Sequence, residues 1–413
     1  MSVEVPKGWR EVRIGQIAHE ISNKNHAGDE LPVLSMTKHR GFVRSNEYFT
    51  KAVHSENTGQ YKVVRRGQFA YATIHLDEGS IDYLKTEDAG LISPMYTVFE
   101  VDVDHIENEI ALHIFKRSAL DGRFDPYSNG GVNRRKSILF SDLSAFKFSL
   151  PPLAEQRAIA EVFSITKEAI TKAESLIEAL VQSRFELTRD FQGSEEQPKW
   201  PMRSIGSLLR QCQYGLSIPL DGEGKVPVLR MPDIGDGRVN VDVATLKSAE
   251  VSPAEITSCA IKEGDILFNR TNSQALVGKT GIVRSTPGTQ IVFASYLIRL
   301  VAKTGVNPFW LNGLLNLPRT QERLKTLATP GVSQWNINSK TLKRFEIPVP
   351  PKFDQDKFAH LYETIESRLE AERAKLRMLR QTQAALAQEL LSGRVRLPDS
   401  VIARHDIKSG EAA

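Results

Sequence analysis

The chain has 413 residues, of which 40% are hydrophobic and 25% are charged, and its formal net charge is +4. These values are typical of an ordinary globular protein of two or three domains, and the mild basic excess permits nucleic-acid binding without requiring it. No run of about 18 apolar residues occurs, and Met1–Lys7 lacks the apolar core of a signal peptide, so neither a membrane span nor a leader is expected.

Residues 1–150 contain short strand-like runs, such as Tyr96–Val101, that are broken by Gly, Pro, Asn and Asp. This pattern predicts a mixed α/β domain with much loop. The segment Asn129–Lys136 combines two glycines with three cations, and other loops also carry cationic side chains. The candidate binding residues of this domain are Lys38, Arg40, Arg44, His75, Asn133, Arg134, Arg135 and Lys136.

Residues 151–193 have the pattern of one long helix. Between Glu155 and Phe191, apolar residues recur in alternating steps of four and three, which is the heptad seam of a coiled coil. Prolines at 151 and 152 forbid helix just upstream, and Gly193 stands where a C-terminal cap is wanted. The seam consists of Ile159, Phe163, Thr166, Ile170, Ala173, Ile177, Leu180, Arg184, Leu187 and Phe191.

Residues 194–349 repeat the first 150 residues with the same landmarks in the same order. Leu31–Met36 recurs as Val226–Met231, Arg66–Tyr71 as Glu263–Phe268, and Ser149–Gln156 as Pro348–Gln355. The offset is 195, 197 and 199 residues, respectively. A period of about 200 residues is too long for a solenoid unit. It indicates a duplicated domain-plus-helix, so we expect a second strand-rich domain, with Ile291–Leu300 as one of its strands.

Residues 350–396 repeat the helix, and a tail follows at 397–413. Every seam position lies 199 residues after its counterpart, with prolines at 350 and 351 and a glycine at 393. The positions are Phe358, Tyr362, Ile365, Leu369, Glu372, Leu376, Leu379, Gln383, Leu386 and Leu390.

The sustained 3.5-residue period favours pairing of the two helices with each other. The alternative is that each helix packs only on its own domain. The predicted fold is α/β (α+β), with two similar mixed domains separated by two long helices in an antiparallel, pseudo-two-fold coiled coil.

The two copies differ most in the loops between their shared landmarks. Arg40–Arg44 corresponds to Gly235–Val239, and Ala72–Asp77 corresponds to Asn269–Gln274. Divergent loops on a common scaffold suit the recognition of two different sequences.

Arg and Lys pair with guanine, and Asn and Gln pair with adenine, through hydrogen bonds to base edges. Solvated turns also favour such residues, so an ordinary surface loop is the competing interpretation. The candidates in the second copy are Arg230, Arg270, Asn272, Gln274, Lys279, Gln334 and Trp335.

No catalytic, cofactor-binding or metal-binding constellation is predicted. Gly278-Lys-Thr280 is similar to the end of a P-loop, but Ser273 replaces the required glycine. Asn307-Pro-Phe-Trp310 and Asp125-Pro-Tyr127 lack the second proline of the adenine-methyltransferase motif. The nine histidines are scattered. The cysteines Cys212 and Cys259 predict buried thiols in a reducing cytoplasm, with a disulfide left open.

The Pro-Pro-x-x-x-Gln boundary and the long helix after each copy resemble the specificity subunit of type I restriction–modification systems. The resemblance covers roughly residues 5–396. The second copy departs at Lys352-Phe-Asp, and the first lacks an equivalent of Val277-Gly-Lys-Thr. The matching segments are Phe148–Arg157, Ile347–Gln355, Val5–Val12, Pro198–Ser204, Gly264–Leu267 and Val277–Gly281.

The resemblance implies that each domain reads one half of a split double-stranded DNA target. It also implies that the helices space the domains and dock two methyltransferase subunits. Those subunits would bind S-adenosylmethionine, a restriction and translocase subunit would use ATP and Mg²⁺, and this chain would bind no cofactor. Two alternatives stay open: a DNA-modifying enzyme with an unrecognised active site (an adenine methyltransferase or a nuclease), and a bivalent scaffold for proteins.

Overall fold

A computed structural model describes residues 5–38, 40–48, 58–128, 137–192, 200–219, 224–235, 237–331 and 334–406. The chain forms two compact units, the first made of Met1–Lys172 and Leu376–Ala413 and the second of Ala173–Lys375. The division passes through both long helices, so each unit contains a globular part and a portion of each helix. The domain boundaries at 150, 193, 349 and 396 stay predictions.

The globular part of the first unit consists of short elements that precede the first long helix, α5 (Leu153–Gln192). In chain order they are β1 (Arg10–Arg13), α1 (Ile14–Ile17), β2 (Ala18–Ile21), β3 (Leu34–Thr37), β4 (Gly41–Arg44), α2 (Ser45–Tyr48), β5 (Lys62–Arg65), β6 (Phe69–Ala72), β7 (Ile81–Tyr83), β8 (Ala89–Ile92), β9 (Tyr96–Val101), α3 (Asn108–Leu120), α4 (Phe140–Leu143) and β10 (Lys147–Leu150).

The main sheet of the first unit has the antiparallel order β2-β9-β6-β7, while β1 pairs with β10. The predicted strand at Tyr96–Val101 is confirmed as β9. Its inward side chains meet those of β6 and α3 in an aromatic core, where the rings of Phe69 and Phe99 are 5.1 Å apart and Phe115 is buried against both. This burial of large rings stabilises the scaffold that carries the loops.

The second unit repeats this series of short elements. In chain order they are β11 (Met202–Ser204), α6 (Ile205–Leu208), β12 (Leu209–Tyr214), β13 (Val226–Leu229), β14 (Ile234–Gly235), β15 (Gly237–Val239), β16 (Lys247–Ala249), α7 (Pro253–Cys259), β17 (Ile266–Asn269), β18 (Thr271–Asn272), β19 (Thr280–Ile282), β20 (Val292–Phe293), β21 (Leu297–Ala302), α8 (Pro308–Leu315), α9 (Pro318–Thr326), β22 (Thr329–Pro330), β23 (Trp335–Asn336), α10 (Ser339–Arg344) and β24 (Glu346–Pro348).

The second long helix is α11 (Lys352–Ser392), and α12 (Asp399–Ile402) follows it in the first unit. The sheet of the second unit runs β12-β21-β17-β19-β15-β14, and β11 pairs with β24. Its first four strands repeat β2-β9-β6-β7 strand for strand, which confirms the predicted duplication. The single strand expected over Ile291–Leu300 is wrong, because a turn at residues 295–296 divides it into β20 and β21.

The glutamine of each Pro-Pro-x-x-x-Gln motif ties the start of the long helix to its own globular part. Gln156 accepts a hydrogen bond from the Glu107 amide at 3.0 Å and donates to the Pro151 carbonyl at 2.9 Å. Gln355 accepts from the Asn307 amide at 2.9 Å and donates to the Pro350 carbonyl at 3.0 Å. Both side chains are buried. The repeated motif is therefore an architectural joint that satisfies otherwise buried backbone groups.

The two long helices begin and end close to the predicted residues. Each helix starts directly after its proline pair, and Gly393 ends α11 with φ of +71°, a left-handed conformation that favours glycine. Gly193 lies outside the described residues. Every position of both predicted seams is buried or half-buried. The 3.5-residue period therefore marks a packed face along both helices.

In each unit, the beginning of one long helix packs against the end of the other. In the first unit, Ile159 and Phe163 share a core cluster with Leu390. In the second unit, the rings of Phe191 and Phe358 are 4.3 Å apart. The pairing is therefore antiparallel, as predicted.

Carboxylates on α11 hold arginines within the second unit. Burial raises the pKa of Glu363, and its arginine partner offsets part of that shift. The pair Arg184–Glu366 explains why the α5 seam contains an arginine, because Arg184 Nη1 lies 2.8 Å from the carboxylate of Glu366. The pairs are Arg284–Glu363, Arg184–Glu366 and Arg238–Glu370.

Both cysteines are free. Cys259 is buried as predicted, but Cys212 is only half-buried, because it lies on β12, the edge strand of its sheet. Partial burial raises the pKa of the Cys212 thiol. Within the described ranges, no helix combines the length and the apolarity that a membrane crossing requires.

His113 on α3 makes the stability of the first unit depend on pH. Its ring lies 4.3 Å from that of Phe163, and burial lowers its pKa, although Glu109 opposes the shift. A histidine whose pKa is lowered in the folded state does not reduce the free energy of unfolding at a pH above its unfolded pKa of about 6.5. Stability is then lost as the pH falls below that value, because the unfolded chain takes up the proton first.

We therefore expect the free energy of unfolding to fall more between pH 7.5 and 5.5 in the native chain than in His113→Asn. Urea unfolding at the two pH values measures this difference. His105→Asn, which alters an exposed histidine paired with Asp102, is the control and should behave like the native chain. An equal loss in His113→Asn and the native chain would contradict the assignment.

Candidate nucleic-acid interface

Two loops of the second unit that are separated by about 60 residues in sequence are neighbours in the fold. Strand β18 pairs with β23, which places Thr271 opposite Asn336 and Asn272 opposite Trp335. Strand β22 adds to the other side of β23. The predicted base-reading loops over 269–274 and 329–336 therefore form one small three-stranded ribbon at the end of β17.

The Gly278-Lys-Thr280 segment closes the turn that carries this ribbon. The Gly278 amide donates to the Asn269 carbonyl at 2.8 Å, and the Asn269 amide donates to the Lys279 carbonyl at 2.8 Å. Gly278 has φ of +92°, and a Cβ atom there would lie 3.6 Å from Leu324. The glycine therefore serves a left-handed turn.

Arg270 is oriented by several groups of the second unit. Its guanidinium lies 4.8 Å from the ring centroid of Tyr214. Nη2 donates to Asn336 Oδ1 at 3.1 Å, and Nη1 donates to the Ser295 carbonyl at 3.3 Å. The side chain is half-buried. Arg270 is thus held in one position before any ligand arrives, which lowers the entropy cost of using it in recognition.

The remaining predicted residues of the ribbon differ in exposure. Gln274 is exposed, whereas Asn272, Lys279, Gln334 and Trp335 are half-buried. The Asn272 carboxamide oxygen accepts from the Ser273 amide at 2.8 Å. The exposed edge of the ribbon therefore includes Gln274.

Arg230 lies between β13 and a 3₁₀ turn at Met231–Asp233. Its Nε lies 3.4 Å from the Asp233 carboxylate, which also accepts from the Arg230 amide at 2.7 Å. This pairing gives Arg230 a structural role in the turn.

The cations predicted in the first unit surround the β3–β4 hairpin. Lys38 lies 3.9 Å from Glu78, and His75 lies 3.4 Å from the same carboxylate. The Arg40 guanidinium lies 5.8 Å from the Tyr48 ring. The fold therefore brings His75 to the hairpin that carries Lys38 and Arg40, although His75 is distant from both in sequence.

Arg44 is committed to carboxylates of the first unit. It donates to Glu87 at 2.8 Å and lies 3.4 Å from Glu47. These contacts raise the pKa of Arg44, and its hydrogen bond lowers the pKa of Glu87. Asn133, Arg134, Arg135 and Lys136 lie outside the described residues.

Sequence reasoning missed side chains beside the candidate loops in both units. In the second unit these are Tyr214, below Arg270, and Tyr296, which is 43% exposed. In the first unit they are Ile74 and Met95, which are 44% and 63% exposed. The available signal was an apolar side chain inside a polar turn, which a search for cations and amides passes over.

Over the part of the chain that is described, no group of three or more His, Cys, Asp or Glu side chains is placed to hold a metal ion. The ribbon and the β3–β4 region carry donors and cations without such a cluster. Their arrangement suits contacts with an anionic polymer.

Comparisons with known proteins agree with this interpretation. Residues 199–380 match the family model of the type I restriction modification DNA specificity domain. The chain is 24% identical over 196 residues to the type I restriction enzyme MjaX specificity subunit of Methanocaldococcus jannaschii, covering 47% of this chain and 45% of that one. It is 24% identical over 260 residues to the EcoKI specificity subunit of Escherichia coli K12, covering 59% and 55%. The chain thus spans about half the length of the curated relatives it matches.

Solved structures show the same fold over nearly the whole chain. The type I restriction–modification S subunit from M. genitalium matches with a TM-score of 0.59 at 14% identity, covering 94% of this chain and 99% of that one. A chain from a study of assembly and conformational transition of the type I R-M system matches with a TM-score of 0.50 at 20% identity, covering 95% and 100%. Residues 199–380 thus carry a type I restriction–modification DNA specificity domain, and the chain as a whole has the fold of these solved structures.

Proposed function

We propose that this chain is the DNA-specificity subunit of a type I restriction–modification complex. Each globular part reads one half of a bipartite double-stranded DNA target. The observation that carries the proposal is the repeated scaffold with different loops: residues 73–80 join β6 to β7, while residues 270–279 join the equivalent strands β17 and β19 with unrelated side chains. Two similar platforms with different contact residues suit two different half-sites.

In this proposal the ribbon of the second unit faces the major groove. A two-stranded ribbon fits that groove, where each base pair presents its own pattern of donors and acceptors. Gln274 and the oriented Arg270 are the base-reading candidates, while Lys279 suits a phosphate. Lys38, Arg40 and His75 provide the corresponding contacts in the first unit.

The long helices dock two methyltransferase subunits and set the distance between half-sites. Large apolar side chains on these helices support a protein partner, since Ile165, Phe185, Phe353 and Met378 are between 54% and 77% exposed. The partners bring S-adenosylmethionine and methylate adenine. A restriction and translocase subunit brings the use of ATP and Mg²⁺. The chain itself is non-catalytic, binds no cofactor and works in the cytoplasm, where the DNA is.

The experiment that tests the function is a map of methylated adenines in DNA from cells that contain the chain and its methyltransferase partner. We expect a split, asymmetric sequence at every modified site. Purified chain with labelled S-adenosylmethionine and target DNA should incorporate no label until the partner is added. Steady incorporation by the chain alone would show that it is an enzyme.

Replacing Arg270 with alanine should relax recognition in only one half-site. Loss of a base contact costs roughly 1–3 kcal/mol, which corresponds to about a five-fold to 150-fold loss of discrimination at one position. The measurement is the methylated sequence selected from a random library.

Tyr214→Phe keeps the ring beneath the guanidinium and serves as the matched control, with the native sequence expected. Arg135→Ala should affect the other half-site, or weaken all sequences equally if Arg135 contacts phosphate. Equal relaxation of both half-sites by Arg270→Ala would refute independent reading.

A further inference from the structure

The first unit has an open cleft of about 360 Å³ where β3, the end of β6 and the start of β9 meet. Its mouth is formed by the turn after β6 and the turn before β9, which the Thr73 hydroxyl joins by donating to the Met95 carbonyl at 3.4 Å. Ile74 and Met95 project from these turns and are 44% and 63% exposed. Two large apolar side chains therefore share the mouth of one cleft.

The strand registers identify the equivalent place in the second unit. Ala72 pairs with Tyr96 across β6 and β9, and Asn269 pairs with Leu297 across β17 and β21. Ile74 lies two positions after Ala72, and Thr271 lies two positions after Asn269. Met95 directly precedes Tyr96, and Tyr296 directly precedes Leu297. The apolar cleft thus occupies the position that Arg270 and its ribbon occupy in the second unit, inside the matched specificity domain.

The surroundings of the cleft suit an anionic polymer. His75 lines it, and Lys38 and Arg40 lie on the adjoining hairpin. Glu78 contacts both Lys38 and His75, but all three side chains are about half exposed, and such pairs are weak enough to exchange for phosphate. Arg40 is exposed, with its guanidinium 5.8 Å from the Tyr48 ring.

The chemistry of the mouth limits what it can read. Ile74 and Met95 offer no hydrogen-bond donor to a base edge. Among the polar side chains that also line the cleft, the hydroxyls of Ser35 and Ser45 are bonded to each other at 2.8 Å, and the Ser93 hydroxyl accepts from the Met95 amide at 3.4 Å. The feature of the major groove that pairs with an apolar side chain is the 5-methyl group of thymine.

We propose that the first unit recognises a thymine in its half-site through the 5-methyl group, which Ile74 and Met95 contact at the mouth of the cleft. This inference rests on the proposed function and names the chemical group that the first unit reads. The second unit relies instead on polar contacts from the Arg270 ribbon.

The test replaces each thymine of that half-site, one at a time, by deoxyuridine, which lacks only the methyl group. We expect one position at which the affinity of the full chain with its methyltransferase partner falls about four-fold, the effect of removing one buried methyl group. Ile74→Ala combined with Met95→Ala should bind thymine and deoxyuridine DNA equally. Ile74→Val combined with Met95→Leu should restore the difference.

Tyr296→Ala, the matched change in the second unit, should keep the full sensitivity to deoxyuridine. Sequence-specific binding with no sensitive thymine, or a sensitivity that survives the double alanine change, overturns the inference but leaves the proposed function intact. If the double alanine variant no longer associates with the methyltransferase but keeps its sensitivity to deoxyuridine, the cleft binds a protein partner. This result also overturns the inference. Absence of any sequence-specific binding is the separate failure of the proposed function.

Discussion

Glu155→Ala is expected to lower the free energy of unfolding of the first unit by about 3 kcal/mol. This is the typical cost of removing a buried carboxylate that accepts hydrogen bonds from charged and neutral donors. Glu155 is only 2% exposed. Its carboxylate accepts from Trp9 Nε1 at 3.1 Å and from Arg396 Nη2 at 2.7 Å. One side chain thus joins the segment before β1, the first turn of α5 and the segment after α11. The alanine variant leaves an arginine and an indole without their partner.

Urea unfolding of the full chain measures the effect. Glu161→Ala is the matched control, because Glu161 is also on α5 and pairs with His405, which follows α12, at 2.9 Å, but its side chain is 54% exposed. Removing that exposed pair should cost less than about 1 kcal/mol. If the two variants were equally stable, Glu155 would not be the link between the three segments.

Inserting one heptad into each long helix, near Ala173 and Glu372, should lengthen the preferred spacer between half-sites by about three base pairs. Seven residues keep the seam on the same face and add about 10 Å at ~1.5 Å per residue. DNA advances about 3.4 Å per base pair. The added pairs also rotate one half-site by about 100° at ~10.5 base pairs per turn, so the rate of methylation should fall.

The measurement is the spacer in methylated sites selected from a random library. The same seven residues inserted into the loop at Pro287–Gly288, between β19 and β20, form the control and should leave the spacer unchanged. Inserting five residues into each helix turns the seam about 140° away from its partner at ~3.6 residues per turn and should destabilise the pairing. A double-heptad variant that methylates with the native spacer would show that the helices do not set the distance.

The long helices and the duplication could be predicted from sequence because their signals are local or repeated. The local signals are the 3.5-residue period, the proline pair before each helix and the glycine after it. Each of them influences only residues close to it in sequence. The order β2-β9-β6-β7 could not be derived in this way, because strand order depends on contacts between distant segments. Nor could the break between β20 and β21 be predicted inside Ile291–Leu300, since Ser295 is a single small polar residue within an otherwise strand-like run.

The candidate interface of the second unit was predicted as separate loops, and only the strand pairing joins them into one ribbon. Which segments carry donors and cations could be read from the sequence alone, because side-chain chemistry needs no fold. Pairing of β18 with β23 decided that Arg270 and Asn336 meet, and packing decided that Arg44 and Arg230 are committed to carboxylates. Only the fold exposed Ile74 and Met95 at the mouth of a cleft, because the exposure of an apolar side chain depends on which distant residues fail to cover it.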